Sequence, residues 1–298
     1  MPYTRFICPD GGEIPIEDCL KKCRLQGKIN PVTGDYYVPC GRCLSVPTLR
    51  KLSKQREWTG KPSTTQCLRG TREAFLTITK DYAVDPKSMM FALLGTQTHA
   101  NLEDGMGESD LGEQRLDDGI STGAFDFYSP ENGGTLFDYK TYSSFVVAKY
   151  LGIKSKKIQV GWFKNGKPRY KTMYTKGNAK LDFDLAVQLN DYRIKIESQL
   201  KLPVSHLVCE MIVRDGGTYI ANSRGVTERS YLIEVGKISD HWMKLYMERK
   251  ASDLIKAVEL NKMPPPCRGH ECWHGRKCKD FCSVSQWCDA YEDFERRK

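Results

Sequence analysis

The chain has 298 residues, 40% of them hydrophobic, enough for one sizeable core with small appendages. No apolar run approaches the ~18 residues of a membrane span. Met1-Pro2-Tyr3-Thr4-Arg5 leads into polar sequence rather than a secretory signal, so a cytoplasmic protein with no membrane partner is the expectation. The net charge of +9 suits a polyanion, because each neutralised phosphate releases counterions, but it suits a merely soluble basic protein equally well.

The twelve cysteines narrow the choice. Without a signal peptide they point to thiolate metal sites rather than disulfides. They are also segregated. Cys8, Cys19, Cys23, Cys40 and Cys43 stand near one end, and Cys267, Cys272, Cys278, Cys282 and Cys288 near the other, with Cys67 and Cys209 between.

In chain order, residues 1–60 read as an irregular, cysteine-rich segment with a helix near Pro15–Cys23 and a turn at Gly34-Asp35. Helical segments follow Pro47 and Pro62-Ser63. Asp85-Pro86 reads as the N-cap and first residue of a helix running to about Glu103, with Phe91, Leu94, Thr98 and Leu102 along one side. A hairpin spans 120–141: a strand Thr122–Ser129, a turn Pro130–Gly134 and a strand Thr135–Thr141. A helix is expected over Ser143–Leu151. Two strands, Ile158–Phe163 and Arg169–Tyr174, flank the turn Asn165-Gly166. A long helix Leu181–Leu200, strands Ser205–Val213 and Ser230–Val235, and a helix Asp240–Leu260 stopped by Pro264-Pro265-Pro266 complete the reading.

The hairpin carries the chemistry. Asp138 and Lys140 sit two apart on a strand and share a face. If the loop is Pro130–Gly134, Ser129 pairs with Thr135 and Asp126 lies opposite Asp138. Carboxylates in that position repel. They need a proton, a lysine or a divalent cation, and a hard cation with oxygen ligands is the natural solution. Lys140 then stands ready to orient a water or to stabilise charge on a phosphate. A lone Asp-x-Lys strand would more commonly be a polar face meeting water, so its weight depends on the company it keeps.

Gly123-Ala-Phe-Asp126 followed by Asp138-Tyr-Lys140-Thr141 resembles motifs II and III of the RecB-like PD-(D/E)XK nucleases. Upstream, Gly95-Thr-Gln-Thr-His99-Ala-Asn-Leu102-Glu103 resembles motif I, and downstream Gln188-Leu-Asn-Asp-Tyr192 resembles the Gln-x-x-x-Tyr motif. The four occur in the family's order across roughly residues 63–235. The resemblance implies a restriction-endonuclease-like α/β fold, a mixed central sheet flanked by helices. It implies Mg or Mn held by His99, Asp126, Asp138 and the Tyr139 carbonyl, with Lys140 assisting the attacking water. Gln188 and Tyr192, one helical turn apart, would touch DNA or brace the site. Glu103, one turn after His99, would brace it or simply be exposed. The implied activity is phosphodiester hydrolysis in DNA, at ends or on single strands, as an exonuclease or end-processing enzyme. The similarity extends to the iron–sulfur exonucleases of CRISPR adaptation and recombination repair, which makes a bacterial or phage-encoded chain working with other recombination or phage proteins the expectation.

Residues 149–176 support a nucleic-acid surface. They include Lys154, Lys156, Lys157, Lys164, Lys167, Arg169, Lys171 and Lys176, interleaved with Trp162, Phe163, Tyr170 and Tyr174, and contain no acidic residue. The competing arrangement is a solvated hairpin with its aromatics buried on the other face.

Several of these nucleases hold a [4Fe–4S] cluster on three C-terminal cysteines and one far upstream. Here two sets compete: Cys272, Cys278, Cys282 and Cys288, or Cys67 with the last three. The local set closes shorter loops, at lower entropic cost. Four thiolates suit zinc or iron–sulfur, and the resemblance tilts the choice to iron–sulfur. At the N-terminus, Cys8, Cys19, Cys23 and Cys43, with Cys40 as substitute, suit zinc; reduced thiols without metal are the alternative. The expected organisation is a metal-binding segment over 1–60, a nuclease core over 61–262 and a cluster-binding segment over 263–298. The reading that competes with a nuclease is a non-catalytic zinc or iron–sulfur DNA-binding module.

Overall fold

The computed structural model describes residues 3–108, 110–175, 177 and 182–290. By their contacts they fall into two units, one made of 1–94, 119–122 and 244–298 and the other of 95–118 and 123–243. Both cysteine-rich ends belong to the first unit.

In the first unit, β1 (Arg5–Ile7) pairs antiparallel with β2 (Glu13–Pro15) and parallel with β3 (Ala83–Val84). Of helices α1 (Ile16–Lys21), α2 (Val46–Ser53), α3 (Thr64–Leu68) and α4 (Thr71–Thr79), α1 packs on β1, β2 and α2, and α3 packs on α4. Ser45 caps α2 ahead of Pro47, and Ser63 with Gln66 forms a reciprocal capping box at the start of α3, which explains why helices begin at those points. Phe6, Leu49, Phe75 and Leu76 form the buried core.

Helix α5 (Met90–Glu103) starts later than Asp85-Pro86 suggests. Asp85 instead caps a turn, its carboxylate accepting the Lys87 N–H at 2.9 Å. The apolar side expected for α5 is not buried either: Phe91 is 62% exposed.

The second unit is built on a mixed five-stranded sheet. Its strands are β4 (Leu111–Gly112), β7 (Phe127–Ser129), β8 (Thr135–Tyr142), β11 (His206–Val213) and β12 (Ser230–Glu234), ordered β12-β11-β8-β7-β4. Strands β5 (Arg115–Asp117) and β6 (Thr122–Ala124) form a separate ribbon. The first hairpin strand expected over Thr122–Ser129 is therefore broken at Phe125-Asp126, its two halves serving different sheets. The hairpin register is Ser129 opposite Thr135 and Phe127 opposite Phe137. Gly134 permits the turn: its φ is +90°, and a Cβ there would meet the Pro203 carbonyl oxygen at 1.9 Å. Strand β8 is the sheet's centre, antiparallel to β7 and parallel to β11.

Helix α6 (Ser144–Tyr150) follows β8 directly. Strands β9 (Lys154–Trp162) and β10 (Pro168–Thr175) pair only with each other. Helix α7 (Phe183–Lys195) packs on β8 and β11, burying Leu185, Leu189 and Tyr192 at helical spacing. The expected start of this helix at Leu181 lies outside the described residues, and its end is a π-helical turn over Ile196–Leu200. The short helix α8 (Tyr219–Asn222) precedes β12, and α9 (Asp240–Glu259) and α10 (Arg276–Asp280) complete the chain. No helix among the described residues is long and apolar enough to cross a membrane.

Candidate active site

Strand β8 alternates a buried Leu136, Asp138 pair with residues facing the opposite way, and its centre brings a carboxylate into the sheet core. Asp138 is 1% exposed and pairs with the ammonium of Lys140, two residues along on the same face. Among the described residues, no donor apart from Lys140 reaches either Asp138 oxygen. Burial raises the proton affinity of Asp138, Lys140 pulls it back, and the nearby Asp126 charge raises it further. Burial also works against the charge on Lys140, but Asp138 and Asp126 outweigh it and hold the ammonium protonated.

Asp126 sits at the bend between β6 and β7, one step beyond the β7–β8 ladder. Its Oδ2 accepts the Tyr139 backbone N–H at 2.7 Å, which turns Oδ1 outward. There Oδ1 meets His99 Nδ1 at 3.2 Å. His99 projects from α5, and its Nε2 lies 2.9 Å from the Tyr139 carbonyl oxygen. A carbonyl can only accept, so Nε2 donates to it; Nδ1 faces the carboxylates, donating to Asp126 when the ring is protonated and free to ligate a cation when it is not. The Tyr139 carbonyl, expected as a metal ligand, thus also holds the imidazole. The Asp126 hydrogen bond raises the pKa of His99, burial opposes it, and the Asp126 charge adds to the rise.

Glu113 is the residue that sequence reasoning missed. It follows β4 with φ +49°, a left-handed conformation unusual for a glutamate, and its Oε1 lies 4.0 Å from His99 Nδ1. His99, Glu113 and Asp126 each offer one ligand atom, and these atoms all lie within 4.8 Å of one another. An imidazole with two carboxylates suits a hard divalent cation. The motif-I Glu103 is exposed on α5, one turn from His99.

Gln188 and Tyr192 lie one turn apart on α7, joined by a 3.2 Å hydrogen bond from Gln188 Nε2 to the Tyr192 hydroxyl. Tyr192 packs in the core cluster with Leu136 of β8 and Cys209 of β11; burial raises its pKa and the Gln188 hydrogen bond opposes the rise. Helix α7 also buries Lys195, fully, against Asp191 and with Asp118 at 3.2 Å.

Among the cysteines, Cys8, Cys19, Cys23 and Cys43 lie close enough to act on one another electrostatically, whereas Cys40 is exposed. Burial first, then Cys43, Cys8 and Cys23, push the Cys19 thiol up to about 11. In the C-terminal segment, Cys267, Cys272, Cys278, Cys282 and Cys288 line one pocket with Arg72 and Glu73. Cys67 is buried on α3, three residues before Gly70, where a Cβ would meet Cys267 Sγ at 2.2 Å. Among the described residues, no three cysteine sulfurs reach the spacing of the His99 group.

The basic hairpin β9–β10 is open on both faces. Lys154, Lys156, Arg169 and Lys171 share one face with Ile158 and Met173. Trp162, Tyr170 and Tyr174 share the other with Lys157, past a bulge beside Val160. Lys164 and Lys167 occupy the turn, and Lys176 lies outside the described residues. Trp162 is 68% and Tyr170 55% exposed, so the aromatics are not the buried back of a solvated ribbon.

No protein-family model matches this chain, and no curated protein matches it.

Proposed function

We propose that the chain is a metal-dependent deoxyribonuclease of the RecB-like PD-(D/E)XK kind, with the five-stranded sheet as a restriction-endonuclease-like core. One observation carries this reading. Residues from four separated segments, His99 on α5, Asp126 at the bend, Asp138 and Lys140 on β8, and Tyr192 on α7, converge on the centre of β8, where the buried Asp138 carboxylate is held by Lys140. A protein using this surface only to bind DNA has no need for a carboxylate at that cost.

His99 and Asp126, with Asp138 behind them, would hold Mg²⁺ or Mn²⁺. The cation, when bound, supplies an activated water and charge neutralisation at the scissile phosphate. Lys140, pinned by Asp138, presents a fixed positive charge where negative charge develops. The Gln188–Tyr192 pair supports this wall of the site. The basic face of β9–β10 would neutralise the DNA backbone while Trp162 and Tyr170 stack on bases, which favours ends or single strands. An exonuclease or end-processing role, in a bacterial or phage setting with recombination partners, belongs to the same proposal. Zinc on Cys8, Cys19, Cys23 and Cys43, and iron–sulfur or zinc on the C-terminal cysteines, would tie down segments with little apolar core of their own.

Protein purified without oxygen tests the whole proposal through metal content, visible absorbance and cleavage of end-labelled DNA with Mn²⁺. Cleavage lost on Lys140→Ala, with DNA binding retained, is the expected result. A wild-type chain that binds DNA but never cleaves it would leave the non-catalytic DNA-binding module standing instead.

A further inference from the structure

Glu113 belongs to none of the motifs that the sequence presents, yet it is placed with care. Strand β4 pairs antiparallel with β7, Gly112 opposite Phe127, so the residue after β4 arrives beside the bend that carries Asp126. The Glu113 N–H reaches the Asp126 carbonyl at 3.4 Å. Gly112 permits the approach, since a Cβ there would lie 3.0 Å from the same carbonyl and 2.3 Å from Met106 Sδ. The backbone then turns left-handed at Glu113, φ +49°, which directs its carboxylate toward His99 and Asp126. A non-glycine residue in this region costs of order 1 kcal/mol and persists where surrounding structure imposes it.

His99 completes the argument. Its Nε2–H is taken by the Tyr139 carbonyl, and the nitrogen left for a cation is Nδ1, which faces Asp126 at 3.2 Å and Glu113 at 4.0 Å. A ligating imidazole typically donates its other N–H to a carbonyl in this manner. On the neighbouring strand, Asp138 is 1% exposed, and among the described residues no donor reaches its Oδ1.

We infer that Glu113 joins His99 and Asp126 as a ligand of the divalent cation, on the Nδ1 side of His99, with the Tyr139 carbonyl orienting the imidazole. This deepens the metal-dependent reading above and rests on it. It makes Glu113 a ligand and gives β4, a two-residue edge strand, the task of delivering it.

The test is Mn²⁺ binding to the full chain by calorimetry, a cation that prefers carboxylate and imidazole to the thiols elsewhere in the molecule. Glu113→Gln should weaken binding by at least about tenfold, with Glu113→Asp intermediate. Glu131→Gln, a carboxylate at the turn of the neighbouring hairpin, should bind as wild type. Near-ultraviolet circular dichroism identical across the variants keeps folding out of the comparison. Glu113→Gln binding Mn²⁺ as tightly as wild type overturns the assignment and leaves the nuclease proposal intact. A wild type that binds Mn²⁺, loses it on Glu113→Gln and still never cleaves DNA sustains the site and sinks the nuclease. A wild type that binds no Mn²⁺ overturns the assignment.

Discussion

The two hairpins of the second unit, β7–β8 and β9–β10, are adjacent in sequence and opposite in environment. Strand β8 is flanked on both sides, and Leu136 and Asp138 are all but inaccessible. Strands β9 and β10 have only each other, and no residue of either is buried. Both carry lysines, but a lysine on β9 meets water and costs nothing, while Lys140 is held against a carboxylate that solvent cannot reach. Charge inside a sheet core persists only when paired or put to use. Charge on an open ribbon supplies affinity without fixed geometry. Under the proposed nuclease reading, the contrast would assign turnover to one hairpin and attachment to the other.

Four experiments would break or sharpen that division. The largest effect should come from Lys140→Ala, expected to lower single-turnover cleavage ~10²–10³-fold while leaving DNA affinity near wild type. Equal losses in both would erase the division. The same variant should acquire a distinctive pH dependence of stability. Without Lys140 the raised pKa of buried Asp138 is no longer pulled back. A carboxylate whose folded pKa lies above its unfolded value stabilises the fold at low pH and loses that contribution as pH rises through the folded pKa. Thermal melts should therefore show Lys140→Ala closest to wild type below the ordinary carboxylate range and falling behind as pH rises toward neutrality.

Next in size is the basic face. Replacing Lys154, Lys156, Arg169 and Lys171 together with Ala should reduce the salt slope of DNA binding by about three and weaken affinity accordingly. Melting temperature should hardly change, because surface substitutions away from packed contacts sit within roughly ±0.5 kcal/mol. Trp162→Ala, on the opposite face, should cost about 1–3 kcal/mol of single-strand affinity with little change in salt slope. Single-strand affinity insensitive to both changes would remove β9–β10 from the nucleic-acid surface. The smallest effect separates two cysteines: Cys19→Ser should lose zinc and lower the melting temperature, whereas exposed Cys40→Ser should do neither.

Much of the site's geometry was legible because it is local. Asp138 and Lys140 share a face by strand periodicity alone, and the five-residue turn fixed Ser129 opposite Thr135. Gln188 and Tyr192 meet by helical spacing. What escaped was non-local. Glu113 sits in a polar stretch without periodicity, and only the pairing of β4 with β7 brings it to His99; Gly112 just before it was the available signal. The break of the first hairpin strand at Asp126 was hidden because Thr122–Ser129 alternates smoothly while its halves join different sheets. The start of α5 was misread because Asp85 has the same preference for a turn as for a helix. The burial of Lys195 between Asp191 and Asp118 likewise depends on a partner far along the chain.

The parallel pairing of β8 with β11 also has a consequence for how the molecule comes into being. Thr135 finds its partner His206 about seventy residues later, a long loop to close before any contact rewards it, and pairings of that range form slowly. The face of β8 that carries Asp138 stays open on one side until that closure occurs. A chain still emerging from the ribosome with β11 unmade holds its motifs in order but lacks the wall that excludes water from them. Under the proposed nuclease reading, cleaving competence would thus arrive late in synthesis, sparing the surrounding nucleic acid from a half-built enzyme.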